Sequence, residues 1–153
     1  MPSLEVIVDQ HSEEAAFLGL LRSIAVHEPH YDLNHLTTLD NRIEAHLDGL
    51  RIAGPVALET LLQQLDPNAQ GEIFAATVLA FETANAAAMA RLAEHVRAAP
   101  DSARFMAAAL GWLDWARVEP WVDKLLGSPE ALFRQIGLAA CGMHRRDPGP
   151  ALI

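Results

Sequence analysis

The sequence predicts an all-α protein: an α-solenoid of helix-turn-helix repeats preceded by an N-terminal helical hairpin. Three observations predict it. Hydrophobic residues make up 51% of the chain, and much of that share is alanine, the strongest helix former. Leu36, Leu39, Ile43, Leu47 and Leu50 fall at the spacing of one helical stripe. From Pro55 onward, three landmarks recur together. Pro67, Pro100 and Pro129 are 33 and 29 residues apart, while Phe74, Phe105 and Phe133 are 31 and 28 apart. Leu79, Leu110 and Leu138 repeat the intervals of 31 and 28. A period near thirty residues marks stacked helix pairs, each burying its apolar face on the next.

Taken in order, Leu4–Val8 reads either as an extended arm or as an opening turn. A first helix is expected from Ser12, a capping residue, with Glu13 and Glu14 at its positive end. Phe17, Leu20, Leu21 and Ile24 continue its apolar face, and Gly19 suggests a close neighbour. Pro29 ends this helix, and Gly54-Pro55 ends the second and opens the third. Residues 1–54 thus form an acidic antiparallel hairpin and residues 55–153 the repeats, within one continuous domain. The repeats read as helices 56–65, 86–98 and 120–126, each followed by a proline turn and a second helix. Asp147-Pro148-Gly149-Pro150 repeats the punctuation just before another helix would start, the pattern of an array cut short.

Charge narrows the functional classes. The net charge is −9, and residues 1–50 set nine acids against Arg22 and Arg42 alone. An acidic chain without a basic patch argues against nucleic-acid binding and suits a basic protein partner. No apolar run reaches the roughly 18 residues of a membrane span, and the acidic N-terminus does not fit a secretory signal. The single Cys141, in an apolar run, reads as a core thiol; a cytoplasmic location fits.

On the second helix, Asp40, Glu44 and Asp48 stand at successive i,i+4 positions along one flank of the stripe, with His35, Arg42 and His46 on the other. This acidic row is the leading partner-binding candidate, with Glu28 and Asp32 in the preceding loop. Trp112 and Trp115 are the second candidate, because tryptophan is enriched at interface hot spots; Trp121 lies nearby and packing between repeats is the plainer role. The segment His27-Glu28-Pro29-His30-Tyr31-Asp32-x-x-His35 offers metal-type ligands, but Pro29 breaks the helix that an H-E-x-x-H site requires. No G-x-S-x-G elbow occurs, and an exposed carboxylate row does not split its pKa values as acid–base pairs do. No catalytic residue, metal site or cofactor is expected.

The strings Gln10-His11-x-Glu13-Glu14-Ala15-Ala16-Phe17-Leu18-x-x-Leu21-Arg22, Pro29-His30-Tyr31, Leu39-Asp40-x-Arg42-Ile43-x-Ala45-His46-Leu47-Asp48-Gly49-Leu50-Arg51 and Ala53-Gly54 carry a resemblance. They resemble the N-terminal portion of an uncharacterised proteobacterial HEAT-like repeat family often encoded beside type VI secretion genes. The resemblance covers roughly residues 7–54 well and the later repeats more loosely. It implies HEAT-like repeats and a role in neutralising a secreted toxin, such as a nuclease, as an immunity protein. An adaptor or chaperone that loads such an effector is the second role it implies. A metal-dependent enzyme built on the hairpin is the alternative from another class.

Overall fold

A computed structural model describes residues 1–152. Among them are eight α-helices, two short 3-10 turns and no strand. Ile153, the last residue of the stretch read as the start of another repeat, lies outside the described residues.

Helix α1 spans Leu4–Ala25 and starts eight residues earlier than the cap read at Ser12. Ser3 is the actual cap, its Oγ accepting from the Val6 amide at 3.4 Å. Leu4–Val8 is therefore an opening turn. Ser12 is buried mid-helix with its hydroxyl unpartnered. The buried stripe of α1 also differs from the expected one: Val8, Ala15, Ala16, Leu18 and Ala25 face inward, while Phe17 and Ile24 remain 60% and 51% exposed. Ala16 and Gly19 stand where α4 passes too close to admit larger side chains.

Helix α2 (Leu33–Ala53) begins with a reciprocal cap. The His35 amide donates to Asp32 Oδ1 at 2.9 Å, and the Asp32 amide donates to His35 Nδ1 at 3.4 Å. Leu39, Ile43, Leu47 and Leu50 are buried as expected, and Leu36 packs partly buried at their end. Arg22–Asp40 and His11–His46 pairings run in opposite senses along α1 and α2, so the two form an antiparallel hairpin.

Gly54, at φ +71°, turns the chain into α3 (Pro55–Gln63), and α4 (Gln70–Glu82) follows the Asp66-Pro67-Asn68 turn. Every residue from Ile73 to Phe81 is buried, as in a helix surrounded on all sides. Helix α1 runs parallel to α4 on one side. Gly71 lies against the Ala16 carbonyl, and a Cβ at Gly19 would come within 3.1 Å of Phe74 Cδ1. The close approach expected at Gly19 is real, and the tightest point is one turn away at Gly71.

The remaining helices are α5 (Ala86–Ala98), capped by Asn85, α6 (Ala103–Trp112), α7 (Trp115–Leu126) and α8 (Ala131–Met143). A 3-10 turn at Pro100–Ser102 joins α5 to α6, and another closes the described chain at Gly149–Leu152. Helix α7 begins at Trp115 rather than Pro120, and Pro120 lies inside it on the exposed side. Helix α4 packs on α6 and α6 on α8, while α7 pairs with α8. One continuous apolar core runs from Val8 in α1 to Cys141 in α8.

Candidate partner-binding face

The carboxylate row of α2 follows directly from helix geometry, since residues four apart stand one above another. Packing decides what the row meets. Arg22, in the last turn of α1, donates to both oxygens of Asp40, the longer bond being 3.3 Å. Its guanidinium also lies 5.6 Å from the centroid of the Trp112 indole. Trp112 in turn donates its indole N–H to Glu44 at 2.8 Å and sets its ring edge-on to Phe74.

Arg51, in the last turn of α2, closes the other end. It donates to Glu44, to Asp48 at 2.6 Å, and through Nη2 to Glu82 of α4 at 2.7 Å. The bond with Glu82 is bidentate, Arg51 Nε donating at 2.9 Å. These bonds, led by the one to Glu82, raise the guanidinium pKa further above its ordinary value. Arg117 of α7 donates to the backbone carbonyl of Glu82 at 2.7 Å. Beside this network opens a cavity of about 290 Å³ lined by Leu50, Arg51, Pro55, Leu58, Leu79 and Glu82, among others.

The row is neither free nor sealed. Four carboxylates (Asp40, Glu44, Asp48 and Glu82) share two arginines, which leaves an excess of negative charge. Exposure grades along the network, from 19% for the Glu82 side chain to 63% for Asp48. Asp48 thus presents the most accessible oxygens and Glu82 the most shielded.

The other sequence candidates divide. Trp112 joins the acidic row through Glu44, 68 positions away in the chain. Trp115 does not: its ring tilts against His144 at 5.3 Å and lies under Arg146 at 5.5 Å. His144 Nε2 pairs with the Leu110 carbonyl at 2.8 Å, so Trp115 belongs to the junction between α6, α7 and α8. Asp32 is the α2 cap, and the His35 amide holds its carboxyl below the usual carboxylate range. Glu28 is exposed, and His30 Nδ1 lies 3.8 Å from its carboxylate.

Sequence reasoning missed Arg22, Arg51, Glu82 and His11. Arg51 carried a signal, because it lies three residues after Asp48 and seven after Glu44 on the same helix. Glu82, 31 residues further on, carried none. Cys141 is buried, and desolvation together with Asp123 and Asp147 pushes its thiol pKa up, the reverse of an activated nucleophile. Among the described residues no group of three or more His, Cys, Asp or Glu is placed to hold a metal ion, and no helix is long and apolar enough to cross a membrane.

Comparison with known proteins finds no matching family model, no matching curated protein and no matching solved structure.

Proposed function

We infer that the chain is a non-catalytic protein-binding module, a HEAT-like solenoid whose α2 face docks a cationic partner. The observation that carries this reading is the unbalanced charge of the Asp40–Glu44–Asp48–Glu82 network, with Asp48 63% exposed. Residual negative charge on a rigid helix attracts a basic surface and accelerates encounter. The network also fixes the orientation of α2, so its carboxylates are ordered before the partner arrives. The resemblance of residues 7–54 supports a narrower role, an immunity protein that neutralises a type VI secreted toxin in the cytoplasm by direct binding. A nuclease toxin, basic on its substrate face, would be a fitting partner.

The decisive experiment pairs the purified chain with the toxin domain encoded nearest to it. Asp40 and Glu44 hold Arg22, Arg51 and Trp112, so reversing them would perturb the fold as well as the face. Asp48→Lys avoids this, because Arg51 keeps its bonds to Glu82 and Glu44. The inhibitor reading expects tight binding, loss of toxin activity, and a salt-sensitive association rate that falls in Asp48→Lys. Binding that leaves toxin activity intact would replace the inhibitor role with an adaptor role. Binding that ignores both Asp48→Lys and salt would remove the α2 face.

A further inference from the structure

We propose that His11 of α1 and His46 of α2 form a binding site for a divalent transition-metal ion of the zinc class. The site lies within the helical hairpin and is separate from the acidic row. The two imidazoles approach through the same atom, Nδ1 to Nδ1, at 3.0 Å, with ring centroids 5.3 Å apart. Zinc–imidazole bonds of about 2.0–2.1 Å at a tetrahedral angle place two ligand nitrogens about 3.3 Å apart. The observed spacing therefore needs a widening of only a few tenths of an ångström to admit an ion between the rings.

The scaffold keeps those atoms in place. His11 lies against the α2 backbone at Gly49, where a Cβ would come within 2.7 Å of the ring atoms Cδ2 and Nε2. The hairpin is fixed further along by the Arg22–Asp40 pair, and both helices are anchored in the core by Leu18, Ile43 and Leu47. Without a metal, one Nδ1 must donate and the other accept, so at most one of the facing nitrogens carries a proton. On binding an ion, the donor ring shifts its proton to Nε2 through solvent, so that both neutral imidazoles offer an Nδ1 lone pair.

Groups around the pair fit a borderline cation. Burial of His46, the neighbouring His11 and Arg42 all favour its neutral form, while Glu14 acts in the opposite sense. Glu14 lies one helical turn after His11 and acts on His46 as a negative charge that would also favour an incoming cation. No third protein ligand is in place among the described residues, so water would complete the coordination shell. Imidazole donors select zinc, nickel and copper over magnesium and calcium, whose preference is for oxygen.

The test is calorimetric titration of the full chain with zinc chloride, alongside nitrogen-resolved imidazole NMR. The site predicts one zinc per chain, with the Nδ1 resonances of His11 and His46 moving together and no uptake of magnesium. His11→Gln and His46→Gln should each weaken zinc by about tenfold or more. Gly49→Ala should weaken it too, by displacing the His11 ring without removing a donor. His35→Gln should leave it unchanged. Cooperative thermal unfolding of each variant without metal separates loss of the site from loss of the fold. Failure of the intact chain to take up zinc would overturn the proposal. So would uptake that survives both histidine substitutions, or resonance shifts confined to His27, His30 and His35. None of these results bears on the acidic face, whose test contains no metal.

Discussion

The crossing of α1 over α4 and the groove between α5 and α7 are opposite ways to set two helices side by side. At the crossing, Gly71 sits directly on the Ala16 backbone and Gly19 faces Phe74, so the backbones meet, and the remaining space is a surface notch of about 250 Å³ beside them lined by Glu13, Phe17 and Glu72, among others. At the groove the facing side chains are large: Met89 and Arg97 of α5, Trp121 and Lys124 of α7, over Phe81 and Met106. They leave a cleft of about 230 Å³, with Lys124 4.4 Å from the Trp121 centroid at its margin. Close-packed backbones fix orientation but tolerate no added volume, whereas long side chains fill space imperfectly and leave room. The rigid crossing carries the acidic helix, because α2 is fastened to α1 and α4 through Arg22 and Arg51.

The largest effect expected is at the crossing itself. Gly71→Ala would place a methyl inside the Ala16 carbonyl and force α1 off α4, costing about 3 kcal/mol or more. At Gly19, Phe74 can yield by a fraction of an ångström, and the gain in helix propensity of about 1 kcal/mol offsets the crowding. Gly19→Ala should therefore be near neutral, and urea unfolding of the two variants measures the difference. Equal losses at both sites would show that α1 and α4 are not locked at Gly71.

A smaller effect of opposite sign is expected in the groove. Ala93→Leu adds three carbons to the cleft without altering helix propensity much, and should stabilise the fold by about 1 kcal/mol. A rise in unfolding midpoint with unchanged denaturant slope would agree. Destabilisation would mean that the groove is as full as the crossing.

The smallest effect concerns the ion pair at the groove's edge. Arg97 donates twice to Glu130, both bonds at 2.9 Å, and stacks over Phe133 at 4.9 Å. The Arg97 bond holds the Glu130 carboxyl below its ordinary value of 4.5. A depressed carboxyl adds stability that is present above that value and is lost as pH falls through the lower, folded-state pKa. Glu130→Gln should therefore lower stability slightly at neutral pH and converge with the parent chain once pH falls well below that value, which flattens the acid limb, as thermal scans across pH would register. The pair is solvent-exposed, so salt should erase most of the difference.

Local signals in the chain served well where the physics is local. Turns at Pro67, Pro100 and Pro129, the Gly54-Pro55 junction and the leucine stripe of α2 were legible because each depends on residues within a turn or two. Ser12 misled because capping chemistry is only a local option, and Ser3 took the position with an earlier helix start. Phe17 misled for the converse reason. Hydrophobicity predicts burial only on average, and the face of α1 toward α4 had room for Ala16 and Gly19 but not for a phenyl ring. Pro120 sits inside α7 because the surrounding apolar residues Val118 and Val122 are held in the core on both sides of it.

By itself, then, the amino-acid order determined the helical class, most of the breaks between helices, and the alignment of Asp40, Glu44 and Asp48 along one flank. Those features follow from a 3.6-residue period and from bonds spanning three or four positions. Only the tertiary structure decided which acids would be tied to Arg22 and Trp112, that Glu82 would join Arg51, and that His11 would face His46. These partners are separated by up to 68 positions. Their meeting depends on how α1, α2, α4 and α6 pack together, and the close backbone approach at Gly71 is part of that packing.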